Sequence, residues 1–83
     1  MMEENRIGVA SIIVEQPESA QEVNETLHKF SGLVVGRLGI PYRERGIAVI
    51  CVVLDATIDH ISALTGQLGK IPGVTVKAAV SKK

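Results

Sequence analysis

GIAVICVVLD, residues 46–55, is apolar on both phases of a two-residue alternation. Ile47, Val49, Cys51 and Val53 form one phase, and Ala48, Ile50, Val52 and Leu54 the other. A run rich in β-branched residues with that period reads as a strand, and apolar side chains on both phases mark a strand covered on both faces. RIGVASIIVE, residues 6–15, behaves the same way, with Ile7, Val9 and Ile13 set against Ala10, Ile12 and Val14. Two further strands are less uniform. LVVGRLGI, residues 33–40, is weakened on one face by Arg37 and two glycines. VTVKAAV, residues 74–80, places Val74, Val76, Ala78 and Val80 on one face and Thr75, Lys77 and Ala79 on the other.

Between these strands lie two helical patterns. In residues 16–32, Ala20, Val23, Leu27 and Phe30 recur at helical spacing. Pro17 suits the first turn, where its missing N–H is not needed, and Gly32 suits the end. Glu18 and Glu22 near the start, with His28 and Lys29 near the end, complement the helix dipole. In residues 56–73 the stripe is Ile58, Ile61, Leu64, Leu68 and Ile71, with Thr57 or Asp55 as the cap. Gly66 interrupts this helix, which is expected to be compensated by close packing on the sheet. Gly69, Pro72 and Gly73 end it.

The order strand, helix, strand, strand, helix, strand is the ferredoxin-like plan, an α+β fold with a four-stranded antiparallel sheet and two helices on one face. Its central strands are the first and third, the two that are apolar on both phases. The opposite face of the sheet is then bare, although its central residues are apolar. Leaving such side chains in water forfeits roughly 1.5–3 kcal/mol each relative to burial. The expected cover is a second copy, giving a homo-oligomer of at least two chains closed by sheet packing or edge-strand pairing. The alternative is a monomer with an open aliphatic sheet.

Eighty-three residues allow one domain, with its core over about residues 6–80. The chain is 46% hydrophobic and 2% aromatic, so its core is built of Val, Ile, Leu and Ala. Nine basic residues balance nine acidic ones. Direct nucleic-acid binding is not expected of a chain without basic excess, because phosphate neutralisation dominates that affinity. The single Cys51 excludes an internal disulfide. No stretch approaches the ~18 consecutive apolar residues of a membrane span and no signal peptide is legible, so a cytoplasmic protein without membrane contact is expected. Residues 1–5 and 81–83 read as loose polar ends.

GRLGIPYRERGI, residues 36–47, and ALTGQLGKIPGV, residues 63–74, carry a family likeness, together with VNETLH at residues 23–28. The chain resembles ACT-like regulatory domains. More closely, and over nearly its whole length, it resembles the small stand-alone ACT-like regulators of iron-only hydrogenase systems. That resemblance implies an ACT-like homo-oligomer with a regulatory, nominally transcriptional role. One feature departs from amino-acid-binding ACT domains, which usually place a glycine directly after the proline of the first strand-to-helix loop. Here Glu18 follows Pro17, which argues against an amino-acid site of that type.

The turn PYRER, residues 41–45, is the leading candidate site. Arg37, Tyr42, Arg43 and Arg45, with Lys70, are expected to converge near the start of the first helix, where guanidinium groups and backbone N–H groups favour an anion. Tyr42 offers a flat apolar face with a polar tip, suited to an interface. The competing reading is a solvated hairpin with arginines protecting an edge. His28 and His60, with Asp59, form a weaker metal candidate that lacks any close ligand spacing; surface histidines are the plainer reading. Cys51, mid-strand, reads as a small hydrophobe. No phosphate loop, nucleophile elbow or paired-carboxylate signature is present, and no cofactor is expected.

The sequence therefore predicts a non-enzymatic regulatory module acting through a small-molecule effector or a regulatory protein partner at the oligomer edge. A protein–protein adaptor without small ligand is the alternative from another class. A metal sensor built on His28 and His60 is a third.

Overall fold

β1 (Arg6–Val14), α1 (Ala20–Lys29), β2 (Val34–Tyr42), β3 (Ile47–Ala56), α2 (Ile58–Gly69) and β4 (Val74–Val80) follow one another in the predicted order. The computed structural model describes residues 4–83. Part of the expected loose N-terminal end, residues 1–3, lies outside the described residues. Three short 3₁₀ turns, Pro17–Ser19, Ser31–Leu33 and Arg43–Arg45, punctuate the connections.

The four strands form one sheet in the order β2-β3-β1-β4, every neighbouring pair antiparallel. The two strands that are apolar on both phases are the two in the middle. Register aligns Ala10 with Val52 and Ile12 with Ile50 across the central pair. Ala10, Ile12, Val14, Ile50, Val52 and Leu54 all point to the helices and are buried. Val23 and Leu27 of α1, and Ile61, Leu64 and Leu68 of α2, close over them. Gly8 lets α2 approach β1: a Cβ there would stand 3.2 Å from Ile61 Cδ1.

The helix starts follow local chemistry. Thr57 caps α2, its Oγ1 accepting the His60 N–H at 3.2 Å. Ile58, expected on the buried stripe, is exposed in the first turn, ahead of the point where α2 settles on the sheet. Gly66 also differs from expectation. Nothing lies within 4 Å of where its Cβ would be, so no close packing offsets its cost and it faces open space.

β2 runs two residues further than the sequence predicts, through Pro41 and Tyr42, which pair with Ala48 and Ile47. An edge strand needs only one ladder, so a residue without an N–H is tolerated there. A register shift between Val34 and Gly36 bulges the strand near its start. At the C-terminus, Ser81 is not loose. Its N–H donates to Ile7 O at 2.8 Å, and its Oγ accepts the Ile7 N–H at 3.1 Å.

Two substitutions test this packing. Gly66→Ala is expected to raise the unfolding free energy by about 0.5–1 kcal/mol, since it restores helix propensity in open space. Leu64→Ala is expected to lower it by about 2–5 kcal/mol. Urea denaturation followed by circular dichroism checks both, and a destabilising Gly66→Ala contradicts the geometry.

Candidate functional site

Antiparallel pairing brings three connections to one end of the sheet: the β1–α1 loop, the β2–β3 turn and the α2–β4 turn. The first and third are stitched together. Glu15 N–H donates to Gly73 O at 2.7 Å, and Ser19 Oγ donates to Pro72 O at 2.6 Å. Gly73 takes φ +73°, and a Cβ on it would stand only 2.6 Å from Gln16 Cγ. Glycine is required there both for the left-handed backbone and for the Gln16 side chain lying over it.

The second connection, the β2–β3 turn, closes by Gly46 N–H donating to Arg43 O at 3.1 Å, with Gly46 at φ +66°. Between this turn and the stitched β1–α1 loop lies a cavity of about 290 Å³. Val14, Pro17, Ala20, Pro41, Ile47 and Ala48 supply its apolar walls, with Gly46 at the turn, and Arg43 is its one charged lining residue. Apolar walls with a single convergent polar group are the usual make-up of a small-molecule pocket.

The four residues singled out from sequence are divided by the fold. Arg43 lines the cavity. Arg45 belongs to the same turn but not to the lining. Tyr42 aligns with Ile47 on the sheet face away from the helices, because successive strand residues point to opposite sides. Arg37 lies six positions back along β2, on the order of 20 Å from Arg43 at strand rise. It turns toward α1, donating from Nη2 to Asn24 Oδ1 at 2.9 Å. Lys70 follows the last turn of α2, on the β4 side of the sheet.

His28 lies in a separate groove of about 230 Å³ with Asn24, Ser31 and Arg37, between α1 and β2. His60 sits in the first turn of α2. Among the described residues no three of His, Cys, Asp and Glu gather to hold a metal ion. Cys51 is a half-buried free thiol in β3. No helix among the described residues is long and apolar enough to cross a membrane. The cavity walls Val14, Pro17, Ala20 and Ala48 had no distinguishing sequence signal, since an apolar residue at a strand or helix end reads as core.

Sheet order, helix placement and this turn-flanked cavity define an ACT-like domain of the ferredoxin-like class. Solved structures agree with that assignment. The C-terminal domain of the MgtC protein from Mycobacterium tuberculosis superposes with TM-score 0.73 at 16% identity, over 99% of this chain and 94% of that one. A formyltetrahydrofolate deformylase from Pseudomonas putida KT2440 matches with TM-score 0.67 at 12% identity, over 93% of this chain but 30% of its own. At those identities the likeness is one of fold. Uncharacterized protein TM1266 from Thermotoga maritima is nearer, with TM-score 0.90 and 41% identity over 95% of this chain and 100% of that one. Residues 6–78 match the TM1266-like family, whose description reads "Iron-only hydrogenase system regulator, putative", and the chain belongs to that family. No curated protein matches it in sequence.

Ser19→Ala is expected to lose about 1–2 kcal/mol of stability, because it leaves the Pro72 carbonyl without its hydroxyl donor and loosens the cavity wall. Arg43→Ala is expected to stay within about 0.5 kcal/mol of the parent, as an exposed turn side chain does. Chemical denaturation distinguishes the two; a collapse in Arg43→Ala reassigns the turn to a structural role.

Proposed function

We propose that this chain is a non-enzymatic regulatory module of an iron-only hydrogenase system that senses a small acid with an aliphatic body in the Arg43 cavity. The observation carrying this reading is the cavity itself: apolar walls over most of its lining, with Arg43 as the one charged residue among those that line it, available to meet a negative charge. A volume of about 290 Å³ suits a small metabolite rather than a nucleotide. The lining includes no nucleophile or general base, so the chemistry on offer is recognition. The formal net charge of zero favours output through a protein surface over direct reading of DNA.

The junction of β2 with its turn supplies a route for that output. Arg43 lines the cavity, while its neighbour Tyr42 lies on the face of the sheet away from the helices. A ligand that fixes the turn therefore biases what that face presents. Coupling of this kind is typically worth 1–3 kcal/mol, roughly 5–150-fold in partner affinity.

A thermal-shift panel of short aliphatic carboxylates and phosphates tests the reading. A ligand at about a hundred times its Kd adds about 2.7 kcal/mol, which raises Tm by roughly 10–20 °C for a domain of this size. Arg43→Ala is expected to abolish the shift without unfolding the protein. No response to any acid, together with stoichiometric co-purification of one protein, supports the adaptor reading instead.

A further inference from the structure

We infer that the outer edge of β4 is a docking site for an extended acidic segment of a partner protein, which joins the four-stranded sheet as one more antiparallel strand. β4 stands last in the sheet order, so only one of its sides is paired. The ladder fixes which groups are left over. Glu15 N–H donates to Gly73 O and Ser81 N–H donates to Ile7 O, so the odd-numbered residues of β4 turn their backbone groups toward β1. Val76, Ala78 and Val80 turn theirs outward. The N–H of Val74 is taken by Ile71 O at 3.2 Å. The N–H and C=O groups of Val76, Ala78 and Val80 have no backbone partner among the described residues. Nothing in the strand obstructs a further ladder. Val74–Val80 contains neither proline nor glycine, and it pairs with β1 without a register shift. The other edge, β2, carries Pro41 and the bulge at Val34/Gly36, which do obstruct strand addition.

Charge selects the occupant. The formal net charge of zero hides an uneven distribution. All nine acidic residues fall within residues 1–59, whereas residues 60–83 carry Lys70, Lys77, Lys82 and Lys83 and no acid. These lysines follow the edge along its length. Lys70 precedes the turn into β4, Lys77 is the middle residue of the strand, and Lys82 and Lys83 come after Ser81. Ser81 is bonded to Ile7 and donates from Oγ to Lys83 O at 2.6 Å, which holds that tail at the end of the strand. Lys77 pairs with Ser11 on the face away from the helices, with Thr75 and Ala79 as its uncharged neighbours there. Opposite charges set directly across two strands are stabilising and like charges destabilising. A second copy is the poorer occupant, because the longest two-fold register of β4 on β4 sets Lys77 against Lys77. A lysine on an open edge guards against that pairing and still admits a strand with an acid at the facing position. In an antiparallel ladder such a strand sets its acid opposite Lys77 and its apolar residues opposite Val76 and Ala78, on the helix side. There α2 adds little bulk, with Gly66 in open space and Gly69 against Val76. This inference does not depend on what the Arg43 cavity binds.

The test titrates the full chain into fluorescein-labelled peptides of seven residues, the length of β4, that alternate valine with glutamate, serine or lysine. Fluorescence anisotropy reads binding. The glutamate peptide is expected to bind at least tenfold more tightly than the serine peptide, and the lysine peptide not at all. N-methylation of the valine amides, which face the edge in an antiparallel ladder, is expected to abolish binding. N-methylation of the glutamate amides is expected to leave it within threefold. Lys77→Glu is expected to cost the glutamate peptide at least tenfold and to admit the lysine peptide. Lys29→Glu, the same charge change at the end of α1, is expected to stay within threefold of the parent. Ala78→Pro removes an N–H that the β1 ladder does not use, so it is expected to abolish binding and keep the parent circular dichroism spectrum. The methylated peptides test the same ladder without altering the chain. Failure of the glutamate peptide to bind overturns the inference. So does equal binding of the two methylated forms, or equal binding of polyglutamate or a DNA duplex, either of which reduces the edge to a general polyanion surface. Self-association that blocks the peptide and is released by Ala78→Pro also overturns it, because a second copy is then the occupant. Edge-specific peptide binding by a protein that responds to no small acid upholds the inference and removes only the sensing mechanism.

Discussion

Two helices can cover only one face of a four-stranded sheet, and everything else about this chain follows from that geometry. On the covered side, alternate residues of β1 and β3 meet Val23, Leu27, Ile61, Leu64 and Leu68, and the core is closed with aliphatic side chains alone. Each fully buried side chain of that kind contributes about 1.5–3 kcal/mol. On the uncovered side the same strands present the same residue types with nothing above them.

The end of the sheet that holds the cavity is built from unequal parts. Its loop wall is rigid, because Ser19 and Glu15 are bonded to the α2–β4 turn. Its other wall is a four-residue turn held chiefly by one internal hydrogen bond and the β2–β3 ladder. A fixed wall facing a more yielding one suits a site that responds to occupancy. The two residues joined by the Tyr42–Arg43 bond then belong to different surfaces, Arg43 to the cavity lining and Tyr42 to the open sheet.

Family and fold carry different weight. The TM1266-like assignment covers residues 6–78, and a relative at 41% identity shares nearly the whole backbone. The MgtC domain and the deformylase share the chain path at 16% and 12% identity. A fold common to such different proteins says little about chemistry, which resides in particular side chains grafted on it.

The central strands and the helix faces were legible in the residues because each depends on local periodicity, whereas the cap of α2 was narrowed only to Thr57 or Asp55. Two-residue alternation states which way a side chain points, and 3.6-residue spacing states which stripe is buried. The bare apolar face was legible for the same reason. The Arg43 cavity was not, since it requires Pro17 and Ala20 to stand opposite Gly46–Ala48, a distance set by how the first helical segment leaves the sheet. Nor was the separation of Arg37 from Arg43, or the open surroundings of Gly66, where side-chain type is silent about what stands nearby. The amino-acid sequence alone determined the elements and the directions of their faces, because those are short-range properties of the chain. Only the tertiary structure decided which distant residues share a space, because that depends on register, the β2 bulge and the stitched loops acting together.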